Sequence, residues 1–172
     1  DRLEGFRITG GSGYFRDYGG GDTVVTGGGV FIYNSSPTIT NNEIVDNVLF
    51  SSGTKNYFGA GVYLGGGEFG APTQPMITYN LVEGNIANPP QGTGAAYSTA
   101  FGGGLYLGVY TAPWVDSNTI RSNQAGDSGV NKQIGSGGGI AVYSLFDLQQ
   151  PLISRNVIED NAGADFGGGV FF

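Results

Sequence analysis

An eleven-residue motif that returns every 38 residues constrains this chain more than any other feature. It reads PTITNNEIVDN from Pro37, PMITYNLVEGN from Pro75, PWVDSNTIRSN from Pro113 and PLISRNVIEDN from Pro151. Each copy has Pro first, Ile or Val third and eighth, and Asn sixth and eleventh. A fixed interval of this length is typical of repeat proteins, in which each repeat is one structural unit stacked on the next.

A second motif alternates with the first. It consists of three small residues, mostly glycines, followed by apolar residues, and it begins at Gly27, Gly59, Gly102, Gly137 and Gly167. Its spacing is irregular, at 32, 43, 35 and 30 residues. Apolar residues alternate within both motifs, which indicates short β-strands, and frequent Asn, Gly and Pro indicate turns. Each repeat is therefore predicted to be one coil of three short strands, with outward loops of unequal length.

Coils of this kind bury their apolar residues by stacking strand on equivalent strand, about 4.8 Å apart. The sequence therefore predicts an all-β fold, a right-handed parallel β-helix. Three inward columns are predicted: Ile39, Ile77, Val115 and Ile153; Ile44, Val82, Ile120 and Ile158; and Val30, Val62, Leu105 and Ile140. The opening LEGFRITGG fits as a divergent copy, with Leu3, Ile8 and Gly11 in the places of Ile39, Ile44 and Asn47.

The repeated asparagines are interpreted as scaffold rather than as a polar site. They form two predicted ladders, Asn42, Asn80, Asn118 and Asn156, and Asn47, Asn85, Asn123 and Asn161. Asparagine tolerates the left-handed backbone conformation of a turn, and stacked amides can hydrogen-bond to one another along the axis. The glycine triplets are predicted to form a further corner, where side chains do not fit.

The repeats predict one domain over residues 1–172, with about four complete coils and partial coils at both ends. This domain is expected to be either a fragment of a longer protein or a unit that stacks on itself. The open ends of a β-helix expose unpaired backbone groups, so end-to-end self-association is an expected interaction.

Both motifs resemble those of right-handed parallel β-helix proteins of the pectate-lyase-like superfamily, and the opening LEGFRITGG is similar to the start of such domains. The resemblance covers nearly the whole chain. It implies the fold but not the activity, because that superfamily includes lyases, glycosidases, esterases, adhesins and phage tailspikes.

Composition disfavours several function classes. The net charge is −7, and the seven Lys and Arg residues form no basic cluster, so nucleic acid is not an expected partner. No apolar run reaches the roughly 20 residues of a membrane-spanning helix, so membrane insertion is not expected. Richness in Gly, Asn, Thr, Ser and Tyr favours an extracellular or cell-surface location.

The carboxylates do not suggest a catalytic site. Enzymes of the resembled superfamily use clustered Asp with His, or calcium with Arg or Lys, but this chain contains no His. Arg121, between Glu83 and Glu159 in one column, is interpreted as a surface charge ladder. Asp116 is interpreted as an outward polar position, and no metal or cofactor is expected.

Aromatic residues give the most suggestive surface. Alternation sends Phe31 outward, and its column continues as Tyr63, Tyr106, Ala141 and Phe171; a neighbouring column contains Thr38, Met76, Trp114 and Leu152. Exposed apolar stripes mark contacts. Covering by the chain's own inserts LFSSGTKNYF, ANPPQGTGAAYSTAF and GDSGVNKQIGS, contact with a partner or subunit, and stacking against sugar rings are the three alternatives.

The sequence therefore predicts a non-catalytic, extracellular structural or adhesive β-helix, a surface or fibre component that assembles end to end. The alternative is a carbohydrate-binding or polysaccharide-degrading domain of the lyase or glycosidase type. The candidate partner surface consists of Phe31, Tyr63, Tyr106, Phe171, Met76 and Trp114.

Overall fold

The computed structural model shows a parallel β-solenoid built from stacked sheets, as the repeats predict. It describes residues 1–17, 19, 23–50, 56–68, 70–87, 98–126, 133–143, 150–163 and 165–172. All regular elements in these ranges are strands. Within the same ranges, no helix has the length and apolar character needed to cross a membrane.

The strands recur in the same order from coil to coil. The first coil contains β1 (Arg2–Glu4), β2 (Arg7–Thr9), β3 (Tyr14–Asp17), β4 (Thr23–Thr26) and β5 (Val30–Tyr33). The second contains β6 (Thr38–Thr40), β7 (Glu43–Val45), β8 (Val48–Leu49), β9 (Asn56–Phe58) and β10 (Val62–Gly65), and a short hairpin follows, β11 (Gly67–Glu68) and β12 (Ala71–Pro72).

The third coil contains β13 (Met76–Thr78), β14 (Leu81–Glu83), β15 (Ile86–Ala87), β16 (Ser98–Phe101) and β17 (Leu105–Leu107). The fourth contains β18 (Trp114–Asp116), β19 (Thr119–Arg121), β20 (Gln124–Ala125), β21 (Gln133–Ser136) and β22 (Ile140–Val142). The fifth contains β23 (Leu152–Ser154), β24 (Val157–Glu159), β25 (Ala162–Gly163) and β26 (Val170–Phe171).

Equivalent strands of successive coils form five longitudinal sheets, numbered here in their order along a coil. In stacking order these are β1-β6-β13-β18-β23, β2-β7-β14-β19-β24, β8-β15-β20-β25, β3-β4-β9-β16-β21 and β5-β10-β17-β22-β26. Pairing between coils is parallel, whereas β3 pairs antiparallel with β4. The predicted register is confirmed, including Leu3 opposite Ile39 and Ile8 opposite Ile44.

Two details of the prediction are wrong. The middle coils have five strands each rather than three, because the third sheet uses two-residue strands and the fourth uses segments that share no repeated motif. About three turns are complete rather than four. Among the described residues, the first coil has no strand in the third sheet, and the fifth coil contributes to the fourth sheet only a bridge between Ser136 and Phe166.

The interior consists of two apolar clusters. The larger contains the three predicted inward columns, and its central members, among them Ile77, Ile120 and Leu105, are fully buried. The smaller lies between the third and fourth sheets and contains Val25, Leu49, Tyr57, Ala60, Ala87, Ala100 and Ala125. Burial of each large aliphatic side chain contributes roughly 1.5–3 kcal/mol, so the repeated columns are the main source of stability.

Candidate binding surface

The predicted asparagine ladders form the wall of the solenoid. Asn80 Nδ2 donates to Asn118 Oδ1 at 3.0 Å in the next coil and to the Ile39 carbonyl at 2.9 Å in the previous coil. The backbone N–H of Asn80 donates to the same Asn118 oxygen at 2.9 Å. Asn85 makes the equivalent bonds to Asn123 and Ile44. The same amide-to-amide bonds join the successive members of each ladder, Asn42, Asn80, Asn118 and Asn156, and Asn47, Asn85, Asn123 and Asn161.

The turn conformation does not lie at these asparagines, which corrects the sequence interpretation. It lies one residue earlier, with φ of 53–56° at Asn41, Tyr79, Ser117 and Arg155. The second corner repeats this offset at Asp46, Gly84, Ser122 and Asp160. The ladder asparagines themselves turn inward and satisfy backbone groups of the adjacent coil, which explains why Asn is required there whereas the turning residue varies.

The glycine triplets form the third corner, as predicted. Their first residues, Gly27, Gly59, Gly102, Gly137 and Gly167, have φ between 53° and 67°. Their third residues stack on one another so closely that a Cβ on Gly104 would lie 2.5 Å from the Gly139 oxygen. This corner leads directly into the fifth sheet, where the aromatic column begins.

The aromatic column runs along the outer face of the fifth sheet. The register pairs Phe31 with Tyr63, Tyr63 with Tyr106, Tyr106 with Ala141 and Ala141 with Phe171. The rings of Phe31 and Tyr63 stack at 5.1 Å between centroids, and those of Tyr63 and Tyr106 at 5.4 Å. Stacked pairs of this geometry stabilise a sheet by roughly 0.5–1.5 kcal/mol beyond the area they bury.

Aromatic residues of the fourth sheet cover the middle of this column. Phe58 lies 4.9 Å from Tyr106, and Phe101 lies 5.8 Å from Phe58 and 6.0 Å from Phe171. Tyr106 is consequently only 7% exposed. Burial, with smaller contributions from Tyr63 and Tyr143, raises the pKa of the Tyr106 hydroxyl above its usual value.

The column is open at the first coil. Phe31 is 38% and Tyr33 48% exposed, and Tyr14 joins them with its ring 5.8 Å from Phe31. The Arg16 guanidinium lies over the rings of Tyr14 and Tyr33 at 5.4 and 5.8 Å. Arg16, Phe31 and Tyr33 border a groove of about 160 Å³, which Val24, Thr26, Phe58, Tyr63 and Tyr106 also line. An aromatic groove with a cation at its rim is a binding surface for a ligand with apolar faces and polar edges.

The second predicted column lies on the first sheet. Met76 pairs with Thr38 and Trp114, and Trp114 pairs with Leu152. Trp114 is 39% exposed and Leu152 is exposed, whereas Met76 is half-buried. Met76 and Trp114 thus belong to a face separate from the strands that carry Phe31, Tyr63, Tyr106 and Phe171, and the predicted surface divides into two.

The charged column of the second sheet has the predicted arrangement. Arg121 pairs in register with Glu83 and Glu159, and its Nε donates to Glu83 Oε1 at 2.9 Å. Both side chains of that ion pair remain partly exposed. A pair of this kind contributes roughly 0–1 kcal/mol, as expected of a surface ladder.

Asp116 is buried, which corrects its interpretation as an outward polar position. Its side chain is 2% exposed, and its two oxygens accept hydrogen bonds from Arg155 Nη2 at 2.7 Å and Arg155 Nε at 2.9 Å. Ser154 Oγ and Ser117 Oγ also donate to it, at 2.6 and 3.0 Å. Arg155, then Ser154, hold the pKa of Asp116 well below its usual range, despite the opposing effect of burial. Side chains of the protein thus donate hydrogen bonds to both oxygens of this carboxylate.

Three inserts were predicted as a cover of the column: LFSSGTKNYF, ANPPQGTGAAYSTAF and GDSGVNKQIGS. Their residues 51–55, 88–97 and 127–132 lie outside the described residues. Their last residues are described, however, and form β9, β16 and β21 of the fourth sheet. Among the residues that are described, no group of three or more carboxylate, His or Cys side chains has the arrangement of a metal site.

From the sequence, Phe58 and Phe101 were the last residues of two inserts offered as a cover for the aromatic column, whereas Phe166 was not singled out. Phe58, Phe101 and Phe166 each immediately precede a glycine triplet, so three of the five triplets carry this aromatic residue. The residue before the triplet could have been aligned from the sequence, because the start of the triplet fixes the register from coil to coil. Tyr14 and Arg16 had no such signal, since β3 has no counterpart in the other coils.

The chain matches no family model, no curated protein and no solved structure. The β-solenoid thus stands on the repeats and on the sheet topology, and membership of the pectate-lyase-like superfamily stays an expectation from the motifs.

Proposed function

We propose that this chain is an extracellular structural or adhesive β-helix, a component of a cell surface or a fibre, and that the aromatic groove is its adhesive surface. The observation that carries this proposal is the continuity of the rings. Each ring is within 6.3 Å of the next, centroid to centroid, in the series Tyr14, Phe31, Tyr63, Tyr106, Phe58, Phe101, Phe171 and Phe166.

The direction of this series favours an extended ligand. The rings belong to the first, second, third and fifth coils, and the first and fifth coils lie roughly 20 Å apart along the solenoid axis at the usual strand spacing. Rigid rings lose little conformational entropy on binding, which makes them effective contact residues. The scaffold supports the same proposal, because the ladder amides and Asp116 make their hydrogen bonds within the wall.

The test is retention under flow of beads coated with the chain, on surfaces carrying protein, pectin or alginate. Wild-type beads are expected to be retained on at least one surface. Retention should fall at least tenfold for Phe31→Ala with Tyr33→Ala. Phe15→Ala is the control, because Phe15 is exposed but takes part in no ring contact between described residues. Equal retention of both variants would refute the groove as the adhesive surface.

The second candidate is a carbohydrate-binding or polysaccharide-degrading domain. Exposed Phe31 and Tyr33 beside the hydroxyl of Tyr14 and the guanidinium of Arg16 offer the mixed apolar and polar surface that sugar rings bind. Incubation with pectin and alginate, followed by assays for new unsaturated and reducing ends, distinguishes the two. Binding without new ends favours the adhesive function, and new ends favour the enzyme.

A further inference from the structure

The first coil differs from the others in its ladder positions. Phe6 and Gly11 stand where the later coils have asparagine, and their backbone N–H groups donate to Asn42 Oδ1 and Asn47 Oδ1, both at 3.0 Å. Neither residue offers a side-chain oxygen to a coil placed before it. At Gly11 an asparagine does not fit, because a Cβ there would collide with the Gly28 carbonyl. Both ladders therefore end in this coil.

The fourth sheet also ends differently on this side. β3 pairs antiparallel along β4, from Tyr14 opposite Thr26 to Asp17 opposite Thr23. It occupies the edge of β4 that an added coil would use for parallel pairing. All four side chains of β3 are exposed, and two of them are the charged Arg16 and Asp17. Short edge strands with charged side chains are common devices against edge-to-edge association.

The outer faces of β1 and β2 carry charged residues. Arg2 stands in the column of Thr38, Met76, Trp114 and Leu152, and Arg7 in that of Glu43, Leu81, Thr119 and Val157. Arg2 pairs with Glu4, and Arg7 with Glu43, each at 2.7 Å. With Arg16, this coil holds three of the seven Lys and Arg residues of the chain.

The opposite face keeps both ladders, although it also carries the charged residues Arg155, Glu159, Asp160 and Asp165. Asn156 and Asn161 carry the ladders into the fifth coil, and Leu152, Val157 and Phe166 are exposed there. The inward Ile153, Ile158 and Val170 are partly buried against the core. The two faces of the stack therefore differ in chemistry.

From these differences we propose that the first coil is a cap, which prevents a second copy of this chain from stacking on that face. The ladders end, the edge of β4 is occupied and the outer positions of β1 and β2 are charged. An incoming coil therefore gains no ladder amide bonds and no parallel pairing along β4, although the edges of β1, β2 and β5 stay open. Open head-to-tail growth needs two competent faces, whereas association through a single face stops at a dimer. The cap thus limits the end-to-end assembly expected from the repeats.

Sedimentation velocity over a wide range of concentrations tests the cap. Wild-type chain is expected to form nothing larger than a dimer. A variant with proline in place of residues 14–17 keeps the chain length and removes the backbone N–H donors of β3, so it frees the edge of β4 and is expected to form species larger than dimers. Wild-type species larger than a dimer would overturn the proposal, and so would a folded proline variant that forms none.

A second variant keeps β3 in case the proline variant does not fold. The triple change Arg2→Thr, Phe6→Asn and Arg7→Thr removes two outer charges and restores one ladder amide. It is expected to raise the weight fraction of species larger than dimers above the wild-type value. Phe15→Ala is the control, and circular dichroism verifies the fold of each protein. The absence of any increase in the triple variant would likewise overturn the proposal.

Discussion

The ring of Phe58 lies 4.9 Å from the ring of Tyr106, although the two residues are 48 positions apart in sequence and belong to different sheets. Phe58 comes from the fourth sheet and Tyr106 from the fifth, so this contact closes the groove between them. Beyond it, toward the first coil, Phe31 and Tyr33 are exposed. The contact thus separates the buried part of the aromatic column from the open part.

Removal of Phe58 should change the titration of Tyr106. Burial raises the pKa of the Tyr106 hydroxyl because it disfavours the phenolate. Phe58→Ala admits water, so we expect this pKa to fall toward the usual value for tyrosine. Absorbance at 295 nm during an alkaline titration reports the change. Phe15→Ala, which leaves the groove intact, should titrate as the wild type does. An unaltered titration curve for Phe58→Ala would contradict the conclusion that Phe58 covers Tyr106.

The sequence predicted the first, second and fifth sheets because their motifs repeat. The proline interval placed Ile39 opposite Ile77, and the glycine triplets placed Val62 opposite Leu105 without a constant interval. These columns are buried in every complete coil, so packing requires Ile, Val or Leu at each one. Repetition of the residue type therefore reported the register directly.

The fourth sheet was not predictable in this way. Its strands include NYF, STAF and QIGS, which follow inserts of different length. When these strands are aligned, no position has the same residue in all three. Backbone pairing holds them together, and small Ala100 or large Tyr57 can fill the same interior. Likewise, outward alternation at Asp116 did not reveal its burial, because Arg155 of the next coil covers it.

Asn80→Ala should destabilise the chain strongly. The Asn80 amide donates to Ile39, Thr78 and Asn118 and accepts from Asn42. Its loss leaves buried groups of the second and third coils unpaired, whereas Asn118 Oδ1 keeps the bond from the backbone N–H of residue 80. Each unpaired buried group costs about 1–3 kcal/mol, and we expect a total loss of about 2–4 kcal/mol in the free energy of unfolding. Urea denaturation measures it. Asn156→Ala, at the half-buried last coil, should cost less; equal losses would contradict the ladder's cooperative role.

Gly104→Ala should be costly although its backbone angle is not left-handed. The added Cβ would meet the Gly139 oxygen at 2.5 Å and Asn123 Nδ2 at 3.1 Å, so two coils would have to separate. We expect a loss of about 1–3 kcal/mol in the free energy of unfolding. Gly169→Ala is the matched control in the same column, because its nearest atom would be 3.6 Å away. The midpoint of thermal unfolding should be lower for Gly104→Ala than for Gly169→Ala. Similar midpoints would argue against a steric origin of the loss.

Asp116→Asn should lower stability at neutral pH and lose its effect in acid. Hydrogen bonds from Arg155 and Ser154 hold the pKa of Asp116 below that of the unfolded chain, which is about 4. A carboxylate with a lowered pKa stabilises the fold above the unfolded pKa, and this contribution is lost as the pH falls toward the folded pKa. The difference in unfolding free energy between wild type and Asp116→Asn should therefore be constant above about pH 5 and shrink from about pH 4 downward.

Urea denaturation at a series of pH values measures this difference. Glu43→Gln is the control, because Glu43 forms an exposed ion pair with Arg7. A difference that stays constant down to about pH 2 would show that the asparagine variant loses something other than the charge of Asp116.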